Sequence, residues 1–195
     1  QESLYGPTQL VEFSLLNGKA TLAANARIVP PVAAAATVKF VNSVVTSSTG
    51  VRNSHRGVRL NGQPLLTLQN STFSMGQYGV YSYNTTLGTK PAPLDCQFLD
   101  CTTGMYNYDK GINALGCSFN ACDDGLVCEQ MAQTSMLTDC TAQNNTGTGV
   151  RVQGSSVLGV LNPAFDHNTI GLDVGGATAA VACGSVSHND QYGFF

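Results

Sequence analysis

Apolar and polar residues alternate in short bursts along this chain, and from residue 57 onward one burst follows each of seven glycines. The pairs are Gly57-Val58, Gly79-Val80, Gly104-Met105, Gly125-Leu126, Gly149-Val150, Gly171-Leu172 and Gly193-Phe194, with spacings of 22, 25, 21, 24, 22 and 22 residues. Segments such as Val150-Arg151-Val152 and Leu172-Asp173-Val174 predict short strands with one side in a core and the other in solvent. A second alternating segment comes earlier in each repeat, as in Leu66-Thr67-Leu68, Leu94-Asp95-Cys96, Leu158-Gly159-Val160 and Val181-Ala182-Cys183. A period just above twenty that tolerates small insertions predicts a solenoid adding one coil per repeat. Each coil reads as strand, tight turn, strand and looser loop.

Between the two strands lies an anchor position held by Phe73, Phe98, Phe119, Ala142, Phe165 and Val186, and three residues further on stand Gly76, Cys101, Cys122, Asn145, Asn168 and Asn189. This repeat resembles the right-handed parallel β-helix (pectate-lyase-like) superfamily over residues 38–195. The resemblance implies an all-β fold, a right-handed parallel β-helix (β-solenoid) with coils of 21–25 residues. It also implies that Asn145, Asn168 and Asn189 form an asparagine ladder, their amides bonded up the stack and their backbones left-handed, with Cys101 and Cys122 interrupting it. Residues 1–37 fit less well and read as an opening coil or a capping hairpin around Asn17-Gly18. Pro30-Pro31 and Ala33–Ala36 mark a break, and residues 42–56 and 84–93 read as loops projecting from one face. A chain that opens on Gln1 and stops at Phe195, just into a new repeat, reads as a piece of a longer protein cut short at its C-terminal end.

Composition narrows the classes. Charged residues make up 11% of the chain, against roughly 25% in an average domain, which disfavours coiled coils and bundles. A net charge of -3 gives no electrostatic reason to expect nucleic acid, and no apolar run reaches the length of a membrane span. The seven cysteines are an odd number, so they cannot all pair within the chain. Cys96, Cys117 and Cys140 share one repeat position and are expected to stack as small apolar side chains in the interior. No Cys-x-x-Cys occurs and no histidine accompanies the cysteines, so neither a metal nor a cofactor is expected.

Candidate chemistry lies on the outward positions. Residues two after each glycine form the column Arg59, Tyr81, Tyr106, Val127, Arg151 and Asp173; residues four after form Asn61, Tyr83, Tyr108, Glu129, Gln153 and Gly175. Tyr81, Tyr83, Tyr106 and Tyr108 thus make a two-by-two patch with Glu129 and Asn61 at its rim. Such a patch suits a sugar, whose C–H face stacks on aromatic rings while its hydroxyls bond amides and carboxylates; a plain exterior ladder of tyrosines is the alternative. Asp123-Asp124 is the one acidic pair with the look of general acid and base. Polygalacturonases of the resembled fold carry such a pair, but with Asn-Thr-Asp, Gly-His-Gly and Arg-Ile-Lys segments that this chain lacks. His167 and His188 hold one turn position in successive coils beside Asp166 and Asp190. They read as exposed turn residues.

The expected function is a structural or carbohydrate-binding segment of a larger secreted or cell-surface protein, acting in adhesion through a polysaccharide or surface glycan. A polysaccharide lyase or glycoside hydrolase is the second reading, and an assembly module of a fibre or filament the third.

Overall fold

The computed structural model describes residues 12–28, 37–61, 65–83, 91–131, 133–154 and 157–195. Each coil carries three strands, except one whose first-face strand is reduced to a bridge at Leu94, and the strands of neighbouring coils pair in parallel to form three faces. The second face is an eight-stranded sheet running from Lys19–Leu22 to Ser185–Ser187, and the third runs likewise from Arg27–Ile28 to Tyr192–Phe194. The first face has two blocks, Glu12–Leu16 to Leu65–Gln69 and Asn113–Leu115 to Thr178–Ala182, joined by Leu94 bridging both Gln69 and Leu115.

Sequence reading expected two strands per coil and found the first and third faces. The second face it read as turn and loop, because most of its strands have only three residues: Thr72–Ser74, Gln97–Leu99, Ser118–Asn120, Thr141–Gln143, Ala164–Asp166 and Ser185–Ser187. One inward side chain between two outward ones is too short a run to show a period. Residues 42–56, expected as a projecting loop, likewise contain the strand Val44–Ser47. Residues 12–28 form a coil rather than a hairpin, since Glu12–Leu16 and Lys19–Leu22 pair in parallel with Thr37–Val41 and Val44–Ser47. The Pro30-Pro31 break, the Ala33–Ala36 run and residues 84–90 lie outside the described residues.

The anchor residues fill the interior. Phe73, Phe98 and Phe119 are fully buried and stack ring on ring, at 5.5 and 4.9 Å between centroids. Each such pair contributes roughly 1 kcal/mol beyond the area it buries. The repeated glycines answer a different need. A Cβ on Gly79 would lie 2.5 Å from the carbonyl oxygen of Gly104, and one on Gly104 equally close to that of Gly125. Among the seven only Gly57 has a positive φ, 72°. Close approach of adjacent coils, not backbone freedom, therefore sets the glycine period.

Left-handed residues mark the corners instead. Between the first and second faces they are Asn17, Asn42, Asn70, Asp95, Gly116, Asp139, Asn162 and Cys183; between the second and third they include Asn25, Asn53, Met75, Asp100, Ala121, Asn144, His167 and His188. The ladder asparagines were expected in this conformation, but it falls on the residue before each: Asn144 has φ 56° and Asn145 is absent from the left-handed set. Asn145 and Asn168 are buried. The Asn145 amide donates to the Phe119 carbonyl and to Asn168 Oδ1, at 3.2 and 2.7 Å, while its Oδ1 accepts from the Cys122 N–H at 2.9 Å. Cys101 and Cys122 continue part of the ladder: their thiols donate to Phe73 and Phe98, the equivalent carbonyls of the coils before, at 3.8 and 3.7 Å. Cys96, Cys117 and Cys140 are buried and free, and their thiols too donate to backbone carbonyls.

Candidate tyrosine strip and arginine cleft

The third face brings the expected columns together. Arg59 pairs with Tyr81, Tyr81 with Tyr106, Tyr106 with Val127, Val127 with Arg151 and Arg151 with Asp173. The second column runs Asn61, Tyr83, Tyr108, Glu129, Gln153, Gly175 in the same registers. The strand ending at Asn61 is described, while the Asn61 side chain lies outside the described residues.

The four tyrosines stack along the rod axis. Tyr81 lies on Tyr106 at 4.9 Å and 7°, and Tyr83 on Tyr108 at 5.0 Å and 16°. The separation is that of neighbouring strands, so the rings stand upright on the sheet and cover one another's faces. What they turn to solvent is a row of edges and hydroxyls. Tyr106 donates its hydroxyl to Glu129 Oε2 at 2.6 Å, and burial together with that bond raises its pKa. Tyr78 packs edge-on against Tyr81 at 5.0 Å and against Tyr106 at 6.1 Å. Sequence reading missed Tyr78 because it counted outward positions only after each glycine. The position before it is a third column, with Tyr78, Thr103 and Asp124 in register and Thr103 buried between the other two.

At one end of the strip Arg59 caps the stack, its Cζ 5.3 Å from the Tyr81 ring centre, a cation–π distance. Beside it opens a shallow cleft of about 180 Å³ lined by Arg27, Arg56, Arg59, Gln77, Tyr78 and Tyr81. The three arginines are exposed. Burial raises the Tyr81 pKa, against the pull of Arg59, so its phenol stays protonated and able to donate.

The acidic pair is bound into the scaffold. Asp123 Oδ1 takes Arg52 at 2.7 Å and the Thr146 hydroxyl at 3.1 Å. Asp124 Oδ1 accepts from the Thr148 N–H at 2.9 Å and its Oδ2 pairs with Arg151 at 3.0 Å; Arg151 also reaches Asp173 at 3.1 Å. Arg52, reaching across to donate to the Cys101 carbonyl as well, ties its loop against two later coils. His167 and His188 stack at 5.6 Å, and their Nδ1 atoms meet the two oxygens of Asp166 at 2.7 and 2.9 Å. Desolvation works to raise the Asp166 pKa, but the bonds to His188 and His167 prevail and hold it below the usual carboxylate value. Among the described residues no group of three His, Cys, Asp or Glu is arranged to hold a metal ion, and no helix is long and apolar enough to cross a membrane.

The architecture defines a parallel β-solenoid, and comparison with known families gives the class. A profile described as the right-handed β-helix region matches residues 32–192. The chain belongs to that family. Neither the curated proteins nor the solved structures contain a match to it.

Proposed function

We propose that this chain is a non-catalytic, carbohydrate-binding β-solenoid, the adhesive segment of a larger secreted or cell-surface protein. The observation that carries the reading is the tyrosine strip: four aromatic side chains in two registered columns on one face, with hydroxyls, Glu129 and the Asn61 position along the same edge. Phenol edges and hydroxyls match a sugar's alternation of C–H and O–H groups, and a rod repeats them at the spacing of its coils. Stacking of the rings on one another fixes their rotamers, so little side-chain entropy is lost when a glycan docks. The salt-bridged state of Asp123 and Asp124 favours binding over hydrolysis, since both carboxylates are held by arginines.

A glycan array tests the reading, with the parent chain beside two variants. Replacing Tyr81, Tyr83, Tyr106 and Tyr108 by Ala removes the strip; replacing Tyr83 and Tyr108 by Phe keeps the stack and removes two hydroxyls. The parent is expected to bind, the Ala variant to lose binding, and the Phe variant to weaken it by roughly tenfold, as for loss of one or two hydrogen bonds. A parent chain that binds no glycan overturns the proposal.

A further inference from the structure

The first face differs from the other two in what it turns outward. The second turns out Thr72, Gln97, Asn120, Thr141 and Asp166, and the third its tyrosines, arginines and Glu129. By contrast the first-face strands Leu65–Gln69, Asn113–Leu115, Ser135–Thr138, Val157–Leu161 and Thr178–Ala182 contain no charged residue. Charge enters the strands of this face only in the first coils, at Glu12 and Lys39. One outward column runs Gln69, Leu94, Leu115, Thr138, Leu161 and Ala182 in unbroken register. Leu115, Met136, Val157 and Leu161 are each more than a third exposed, at 44, 41, 48 and 37%. Val157-Leu158-Gly159-Val160-Leu161 has the near-continuous apolar pattern of a strand covered on both sides, yet only Leu158 and Val160 are buried. Scattered apolar side chains on a surface are ordinary, but a contiguous band of them marks an interaction site. The band is also flat: the Met136 thioether lies across Gly159, where a Cβ would collide with its sulfur.

We infer that the apolar band of the first face packs against the same band of a second copy of this chain, so that two rods lie side by side. The pairing is independent of the carbohydrate-binding reading, since the tyrosine strip lies on the third face and stays open. Three properties select a second copy. A charged or polar partner would lose its hydration against this band without compensation, whereas two uncharged bands meet without repulsion even though each chain carries a net charge of -3. The side chains of the band repeat at the coil spacing of about 4.8 Å, and an identical rod matches that period along the whole contact. Area is the third property. Six coils at that spacing and strands about 17 Å long give roughly 500 Å² on each copy and about 1,000 Å² between two, the lower limit for a specific interface. That size makes the dimer weak and concentration-dependent rather than obligate. A two-fold axis sets the band against itself, with Leu115, Met136 and Leu161 covered on both copies.

Sedimentation equilibrium of the whole chain tests this. The variants are Leu115→Lys with Leu161→Lys on the band, and a control, Gln97→Lys with Thr141→Lys, that adds the same charge to the second face. The parent is expected to dimerise with a Kd of roughly 1–100 μM. The band variant should weaken the dimer by about a hundredfold, because it buries unpaired ammonium groups, and the control should match the parent. Leu115→Thr with Leu161→Thr keeps strand-forming residues and should weaken it by about tenfold; this variant decides if the lysine pair does not fold. Peroxide footprinting reads the same surface in the unaltered chain. Oxidation of Met136 should slow severalfold as the concentration rises through the Kd, while the buried Met105 and Met131 stay slow throughout. A parent that stays monomeric to about 200 μM, beyond the affinity such an area supports, overturns the inference. That includes a monomer that instead pellets with phosphatidylcholine vesicles, which would assign the band to a lipid surface. A dimer that the band variants leave intact, that the control weakens as much, or in which Met136 oxidises at the monomer's rate overturns it too. None of these outcomes bears on glycan binding, which the array reads separately.

Discussion

Asn145 bonds to both neighbouring coils, through Cys122 and Phe119 on one side and Asn168 on the other. At 2% exposure no water replaces them. Asn145→Ala leaves a buried N–H and a buried carbonyl unpaired and should cost about 2–4 kcal/mol, read as a lower urea midpoint. Asn162→Ala, which removes an exposed bond to Asp139 and puts Ala at a left-handed φ of 50°, should cost only about 1 kcal/mol. His55 makes a second residue-level case. It is 1% exposed, accepts from the Gly57 N–H through Nδ1 and meets the Ser74 carbonyl through Nε2, which fixes the neutral ring with its proton on Nε2. Burial holds its pKa below the usual value, against the bond to Ser74. The unfolded chain therefore takes up this proton first. Stability from His55 is complete above about pH 6.5 and falls as the pH drops from there toward the folded pKa, by at most about 1.4 kcal/mol per pH unit. Asp166 acts lower: its depressed pKa contributes stability present above about pH 4 and lost below it. Urea midpoints at about pH 7.5 and pH 5.5 should differ in the parent and differ less in His55→Asn. An equal difference in both would remove His55 as the cause.

Within a coil, the glycine of each repeat is where packing is least forgiving. Gly125 has an ordinary φ, but a Cβ there would also press on Phe119 Cβ at 3.0 Å and Asn145 Nδ2 at 3.3 Å, so Gly125→Ala should cost about 3 kcal/mol by overpacking. Gly176 has φ 72° with nothing within 4 Å of a built Cβ, so Gly176→Ala should cost only about 1 kcal/mol of backbone strain. Chemical denaturation of the pair checks the order, and the reverse order would mean that backbone freedom sets the glycine period. These glycines also account for what could be read beforehand. A position that must stay empty in every coil leaves a mark at a fixed period, and the registers of Tyr81, Tyr106, Tyr83 and Tyr108 follow by counting from it. The second face left no such mark, because a three-residue strand such as Ser118–Asn120 carries one core residue and no alternation. The self-stacking of the tyrosines was hidden for another reason. Sequence gives the column, while the ring orientation comes from the 4.9 Å separation of neighbouring rings. The arginine cleft was further from view, since Arg27 belongs to a coil that lacks the glycine pair, and Arg56 and Tyr78 stand before the glycine rather than after it.

Across the whole rod, each strand packs chiefly on its counterparts one coil above and one below, so stability builds up coil by coil instead of around one centre. Side chains are buried to 0% from Val38 to Leu172, and none of the buried core lies beyond Leu172. In the last coils Val181, Tyr192, Phe194 and Phe195 are all exposed. A solenoid of this kind opens from its weakest coils at low cost, while an interior coil must break pairings on both sides. Amide hydrogen exchange should therefore be graded in the isolated chain: slowest at Met105, Leu126 and Val150, fastest at Val181 and Phe194, with intermediate rates at the outer coils between. Gly125→Ala should sharpen the test. Because coupling runs only through neighbours, it should speed exchange at Met105, Leu126 and Val150 and leave Val58 and Val80, toward the other end, near their parent rates. Exchange that is uniform along the parent chain, or that rises equally everywhere in the variant, would mean that the rod unfolds as one cooperative block and that its coils are coupled well beyond their nearest neighbours.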